Sequence, residues 1–188
     1  MKSAFTLVTL FCAAVVLQLG LFPAFVPTLL QPDVGLLIAM AALAFCPREF
    51  ALIALFVLGL HADLFGSARF GLLTLSYLLS AGLILCVAWR ELTRGDLLAA
   101  WAGGVAATLL AHSLYVLLGL LCGFDVRWGQ AFATLLARML AALIWGLPLA
   151  WACAQWLYRL GMMAPPVHER WAAEIRLAAA RRGKVMRG

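Results

Sequence analysis

The sequence predicts an all-α fold, a polytopic helical membrane protein with about six transmembrane helices. Three observations lead there. Hydrophobic residues fill 66% of 188 positions, charged residues only 12%, and mean hydropathy is +1.03. A soluble domain carries roughly 25% charged residues, so most of this surface must face something other than water. The apolar residues run on continuously instead of alternating in segments of about 10 residues, as membrane β-strands do, and long apolar runs that satisfy their own backbone are helices. Finally, apart from Arg138 the basic residues fall in short breaks between the runs and in a C-terminal tail.

Six segments follow in order. Segment one, Ala4 to Phe22, stops at Pro23 and Pro27; no small-x-small cleavage site follows it, so it reads as a first transmembrane helix and not a signal peptide. Segment two, Asp33 to Phe45, opens after Pro32, a residue suited to a helix start. Segment three, Phe50 to Phe65, follows the break Cys46-Pro47-Arg48-Glu49. Segments four and five are Phe70 to Trp89 and Leu97 to Leu121, and segment six runs from Ala131 to Tyr158 with Pro148 inside it. A straight span needs roughly 20 residues, so segments two and three are either short spans or the two arms of a re-entrant hairpin.

Charge favours six crossings with both termini in the cytoplasm. In that arrangement the inner face holds Lys2, Arg48, Arg90, Arg94 and the seven basic residues from Arg159 onward, whereas the outer face holds Arg69 and Arg127. This is a positive-inside distribution; a re-entrant pair would move Lys2 and Arg48 outside and weaken it. The domain organisation is a six-helix membrane domain over residues 1–160 and a basic cytoplasmic tail over 161–188. Within the tail, Trp171, Ile175 and Ala178 share one face of a possible interfacial helix. The net charge of +6 therefore reflects topology and a basic tail, not nucleic-acid binding.

Other residues fit this frame. Trp89, Trp101, Trp128 and Trp156 fall at segment ends, where interfacial belts lie; Trp145 and Trp151 lie deeper and read as packing residues. Gly103, Ala107 and Ala111, and Ala133, Ala137 and Ala141, form small-residue stripes that let helices approach closely in lipid. The five cysteines form no CxxC pair, have no histidine at ligand spacing and read as apolar filler.

Ionisable residues within apolar segments each need an account. Gly59, Asp63 and Gly66 fall at i, i+4 and i+7, one helix face that is small, polar and able to pack against a neighbour or a partner; Gly71 follows in the loop. His61 points roughly the other way. Asp63 has three readings: a carboxylate capping the turn before segment four or pairing with Arg69, an ion pair with Arg138, or a proton-relay or catalytic carboxylate. Arg138, a third of the way into segment six, either snorkels outward or makes that pair. His112 in segment five reads as hydrogen-bonded packing, and Asp33 as a structural polar residue opening segment two. Zinc-protease, phosphate-loop and glycine-flanked serine motifs are absent. The expectation is a non-enzyme with no cofactor and no metal.

Taken in order, Pro32-Asp33 opening an apolar run, the Arg48 break, Gly59-x-x-x-Asp63-x-x-Gly66 leading to Gly71-Leu72-x-x-Leu75, and a last helix with Arg138 and Pro148 resemble the rod shape-determining protein MreD family. The resemblance covers about Ala4 to Leu160. It departs at Ala68-Arg69-Phe70, where the family usually has a proline or a small apolar residue before the glycine. The resemblance implies a non-enzymatic scaffold of the cell-wall elongation complex in the bacterial inner membrane. It also implies an architecture similar to the substrate-binding subunits of energy-coupling-factor vitamin transporters. Its implied partners are a single-span MreC-type protein and, through it, MreB, RodA and a transpeptidase, besides membrane lipids. A small-molecule transporter subunit and a membrane-embedded enzyme are the other classes: the first needs a polar mid-membrane pocket, the second converging ionisable groups.

Overall fold

The computed structural model describes residues 2–27, 30–65, 71–92 and 96–161. Every regular element among them is helical: α1 (Lys2–Val15), a π-helical turn (Val16–Leu21), α2 (Phe22–Phe25), α3 (Val34–Phe45), α4 (Arg48–Phe65), α5 (Leu72–Leu92), α6 (Leu97–Leu121) and α7 (Trp128–Arg159). The first three make one rod, Ala4–Phe25. Its widened turn falls just before Pro23, whose ring would clash with the Leu19 carbonyl in regular α-helix.

Helix α3 is the centre of the bundle. Every residue from Val34 to Ala44 is buried, and the helix touches α1, α4, α5, α6 and α7. A helix apolar on all sides has nowhere else to go. It stops at Cys46, held extended at φ −106° and ψ 166°, because the following Pro47 disfavours helical backbone in the residue before it. With only Cys46 and Pro47 between them, α3 and α4 return antiparallel and pack on each other.

The remaining helices wrap this core. Helix α6 ends in a Schellman cap: the amides of Gly123 and Phe124 donate to the Leu120 and Gly119 carbonyls at 3.0 and 2.9 Å, with Gly123 at φ +78°. Along α6, Gly103, Ala107 and Ala111 are buried, whereas on α7 only Ala137 and Ala141 of the expected stripe are; Ala133 is exposed. Close approach is clearest where a side chain on Gly104 would meet Leu37 at 3.0 Å, and one on Gly146 would meet the Trp101 ring at 3.0 Å. Trp101 also donates its ring N–H to the Leu143 carbonyl at 3.2 Å, tying α6 to α7.

Among the described residues three elements are long and apolar enough to cross a membrane: Ala4–Phe25, Leu97–Leu121 and Trp128–Arg159. Val34–Phe45 and Leu72–Val87 are shorter apolar helices. Two further expectations are corrected here. Helix α7 begins at Trp128 and not Ala131, taking the interfacial tryptophan into its first turn. Trp151, read as a packing residue, is 57% exposed, while Trp145 does pack, edge-on against Phe22. The reason is angular: Trp145 lies one turn on from buried Ala141 and Ala142, and Trp151 faces away from them. Of the five cysteines only Cys153 is buried; Cys12, Cys86 and Cys122 are exposed on the outside of the bundle. The tail proposed as an interfacial helix lies outside the described residues.

Candidate functional site

The two buried acids, Asp33 and Asp63, lie with Thr74, Ser76 and Tyr77 at one end of the bundle, around the starts of α3 and α5. Asp33 is the N-cap of α3. Its Oδ1 accepts from the Leu36 amide at 3.3 Å, satisfying one of the donors a helix start leaves open. Its Oδ2 accepts from the hydroxyl of Tyr77, a residue of α5 that is only 1% exposed.

Asp63 does the same for a different helix. Gly71, at φ +92°, turns the chain into α5, and the Asp63 carboxylate on α4 lies across that start. Oδ1 accepts from the Leu73 amide at 3.0 Å; Oδ2 accepts from the Thr74 amide at 3.0 Å and from the Thr74 hydroxyl. A carboxylate at a helix N-terminus also meets the positive end of the helix dipole. Close backbone approach makes this possible: a side chain added at Gly59 would sit 2.9 Å from the Thr74 Cα.

The face bearing Gly59 and Asp63 is therefore taken up by α5 inside the chain. Gly66, the third member of that face, and Arg69, a suggested partner of Asp63, lie outside the described residues. The suggested Asp63–Arg138 pair is not formed. Asp63 is engaged with α5, and Arg138 donates from Nη1 to the Gln31 carbonyl at 2.8 Å, its one hydrogen bond among the described residues. His61 turns away from Asp63, as its register implies, and packs edge-on against Phe11 with ring centroids 5.4 Å apart. His112 donates from Nδ1 to the Thr108 carbonyl at 2.9 Å, one turn back along α6.

These groups border two spaces. A cavity of about 320 Å³ lies among Gln18, Asp33, His61, Tyr77, His112 and Arg138. A larger groove of about 1010 Å³ runs between α6 and α7, and Leu73, His112 and Arg138 line both. Among the described residues no three His, Cys, Asp or Glu side chains converge as a metal site.

Reading the sequence alone missed Thr74, Tyr77, Gln31 and Gln18. Thr74 and Tyr77 carried a signal. They sit at i and i+3 in an otherwise apolar run, so they share a face. Gln31 acts through its backbone carbonyl, which no side-chain pattern reveals. In comparisons with protein-family models, curated proteins and solved structures, nothing matches this chain.

Proposed function

We propose that this chain crosses the membrane six times, with both termini cytoplasmic, and serves as a non-enzymatic scaffold of the MreD kind in the bacterial inner membrane. It would bind an MreC-type single-span partner and so support cell-wall elongation. The observation that carries this reading is the use made of the two buried acids. Asp33 and Asp63 each spend both carboxylate oxygens on holding a helix start and a side chain of α5, which is fold-holding work and not proton transfer. A scaffold needs such rigidity and an outward surface. The α5 segment following the Gly59–Asp63 face offers one: Leu75, Leu79 and Leu83, each four residues apart, are exposed.

Co-purification tests this. The full chain, expressed with an MreC-type partner, should retain it in detergent, and tryptophan substitutions at Leu75, Leu79 and Leu83 should weaken retention. The same change at Leu136 or Leu140 on α7 should not. If no α5 position matters and removing 165–188 alone abolishes retention, recognition lies in the tail.

A second reading has one observation in its favour. The polar cavity beneath Arg138 suits a small polar solute, as a transporter's substrate-binding subunit would require. Association with an energy-coupling transmembrane subunit, in place of an MreC-type partner, would establish it.

A further inference from the structure

Arg138 stands ten residues into α7, about 15 Å below the Trp128 end at 1.5 Å per residue. In a hydrocarbon layer roughly 30 Å thick that is near mid-depth, where a cation needs water or a counter-charge. A guanidinium has five N–H donors in a planar fork, and among the described residues only the Gln31 carbonyl engages this one. Asp33 borders the same cavity, but its two oxygens are already taken by the Leu36 amide and the Tyr77 hydroxyl.

A polar path leads to this depth from one end. Gln130, Thr134 and Arg138 recur every four residues and so share one face of α7, running down from its Trp128 end. All three line the α6–α7 groove of about 1010 Å³, with Tyr115 and His112 of α6 across from them and Asp125 and Arg127 at its mouth. The exposed apolar residues lie elsewhere. Leu136 and Leu140, two residues to either side of Arg138, are exposed on the far side of the helix, and neither lines the groove. Helix α7 thus turns an apolar side to lipid and a polar ladder to the groove. The ladder ends where Leu73, His112 and Arg138 form the wall shared with the inner cavity of about 320 Å³.

The inner cavity defines the solute. Its volume is at the lower end of ordinary ligand sites, so the solute is small. Its two formally charged side chains, Arg138 and Asp33, have opposite signs, so a second negative charge on a ligand would meet Asp33 unmatched. The side-chain oxygen of Gln18, at the cavity wall, is buried and accepts no hydrogen bond among the described residues, which leaves a place for a donor. A singly charged carboxylate with a hydroxyl or amino group beside it meets both requirements. Its two coplanar oxygens also match the guanidinium fork.

We propose that the α6–α7 groove is an aqueous vestibule open at the outer face, leading to a site on Arg138 for one small soluble hydroxy or amino carboxylate. This rests on the solute-site reading above and names the solute's class and its route. It requires the six-crossing topology but no particular partner subunit.

The route is tested in intact cells with single-cysteine variants and two membrane-impermeant methanethiosulfonates, one anionic and one cationic. Native Cys122 is the control for topology, and each rate is divided by that reagent's rate with a free thiol in solution. Thr134→Cys should react from outside and Leu136→Cys should not. At Thr134→Cys the anionic reagent should be favoured by about tenfold, and adding Arg138→Gln should remove most of that preference. Cys122 labelled while Thr134→Cys stays inert, or equal reaction of Thr134→Cys and Leu136→Cys, would overturn the vestibule. Protection of Cys122 would overturn the topology, and the proposal with it.

The site is tested on the full chain in neutral detergent by saturation-transfer NMR with lactate and its uncharged counterpart lactamide, and with inorganic phosphate as competitor. Lactate should bind, lactamide should bind about tenfold more weakly or worse, and phosphate should compete poorly. Arg138→Gln should abolish the lactate signal. Because that change also removes the bond to Gln31, Thr134→Trp serves as a second variant: it closes the groove from an exposed position, leaves that bond in place and should also lower the signal. No lactate signal in the unaltered chain, lactamide bound as well as lactate, or lactate binding unchanged in both variants would overturn the site. Phosphate displacing lactate at equal concentration would overturn the carboxylate assignment in favour of a tetrahedral oxyanion. Association with an energy-coupling subunit is scored independently, so the transporter reading and this site can fail separately.

Discussion

The hydroxyl of Tyr77 on α5 donates a hydrogen bond to the carboxylate of Asp33 at the start of α3, joining residues 44 positions apart. Both are buried, at 1% and 7% exposure. The bond fixes α5 against the central helix at the same end of the bundle where Asp63 fixes α4 to α5. Tyr77→Phe removes the donor and leaves a buried carboxylate oxygen without it. The expected cost is about 1.5–3 kcal/mol, the range for hydrogen bonds to charged groups. Reversible unfolding in mixed micelles measures it, and Asp33→Asn combined with Tyr77→Phe should cost less than the two single changes added.

Asp63 should resist even a conservative replacement. Asparagine keeps one acceptor oxygen, but its amide nitrogen would face a donor: either the Leu73 amide or the Thr74 amide loses its partner. Asp63→Asn should destabilise by about 1–3 kcal/mol, the penalty for an unsatisfied buried donor. Asp63→Ala should cost more, and Thr74→Val, which removes only the hydroxyl bond, less. The same unfolding assay ranks the three.

Two glycines separate close packing from helix propensity. At Gly59 a Cβ would lie 2.9 Å from the Thr74 Cα, a backbone contact that cannot give way cheaply. Gly59→Ala should therefore cost about 1–3 kcal/mol through overpacking. At Gly82, inside α5, a Cβ meets nothing within 4 Å. Gly82→Ala should be neutral or stabilising by up to about 1 kcal/mol. Equal effects at the two positions would contradict the α4–α5 contact described here.

Much of the helical plan was legible because apolar runs bounded by Pro, Gly and charge are local signals. Pro32-Asp33 opens α3 and Pro47 ends it; Leu97 and Leu121 bound α6 as read. The end of the first rod at Phe25 lay three residues past the expected Phe22, because Pro23 is tolerated where the helix widens before it. The candidate site was legible only in part. Asp33, Asp63, His112 and Arg138 stood out because ionisable groups are rare in apolar runs, but their partners lie on other helices. Nothing local says that Asp33 meets Tyr77, or that Arg138 meets the backbone of Gln31, 107 positions away. The attraction between Asp63 and Arg138 looked natural from opposite charge alone; the start of α5, brought close by Gly59, takes the carboxylate first.

The turn between α3 and α4 has a chemical signature. Cys46 is half-buried, and the loss of water around its thiol pushes its pKa up to about 11. The thiolate is the reactive form, so a raised value lowers reactivity at neutral pH. At pH 8 Cys46 should be about 0.1% thiolate, against roughly a quarter for a free thiol near 8.5. In a variant with Cys46 as the single cysteine, maleimide labelling in detergent should be slow at pH 7–8. It should rise about tenfold per pH unit up to about pH 11. A rate that levels off near pH 9 would mean the thiol is as open to water as a free one.

Six crossings with cytoplasmic termini underlie the functional reading, and single-cysteine accessibility in intact cells measures them most directly. Cys122 lies exposed in the turn after α6, and Glu49, exposed at the start of α4, can carry a cysteine as Glu49→Cys. With the other cysteines replaced, a membrane-impermeant maleimide should label Cys122 from outside. The Glu49→Cys protein should be labelled only after the membrane is opened. Labelling of Glu49→Cys from outside intact cells, or protection of Cys122 until they are permeabilised, would contradict the account.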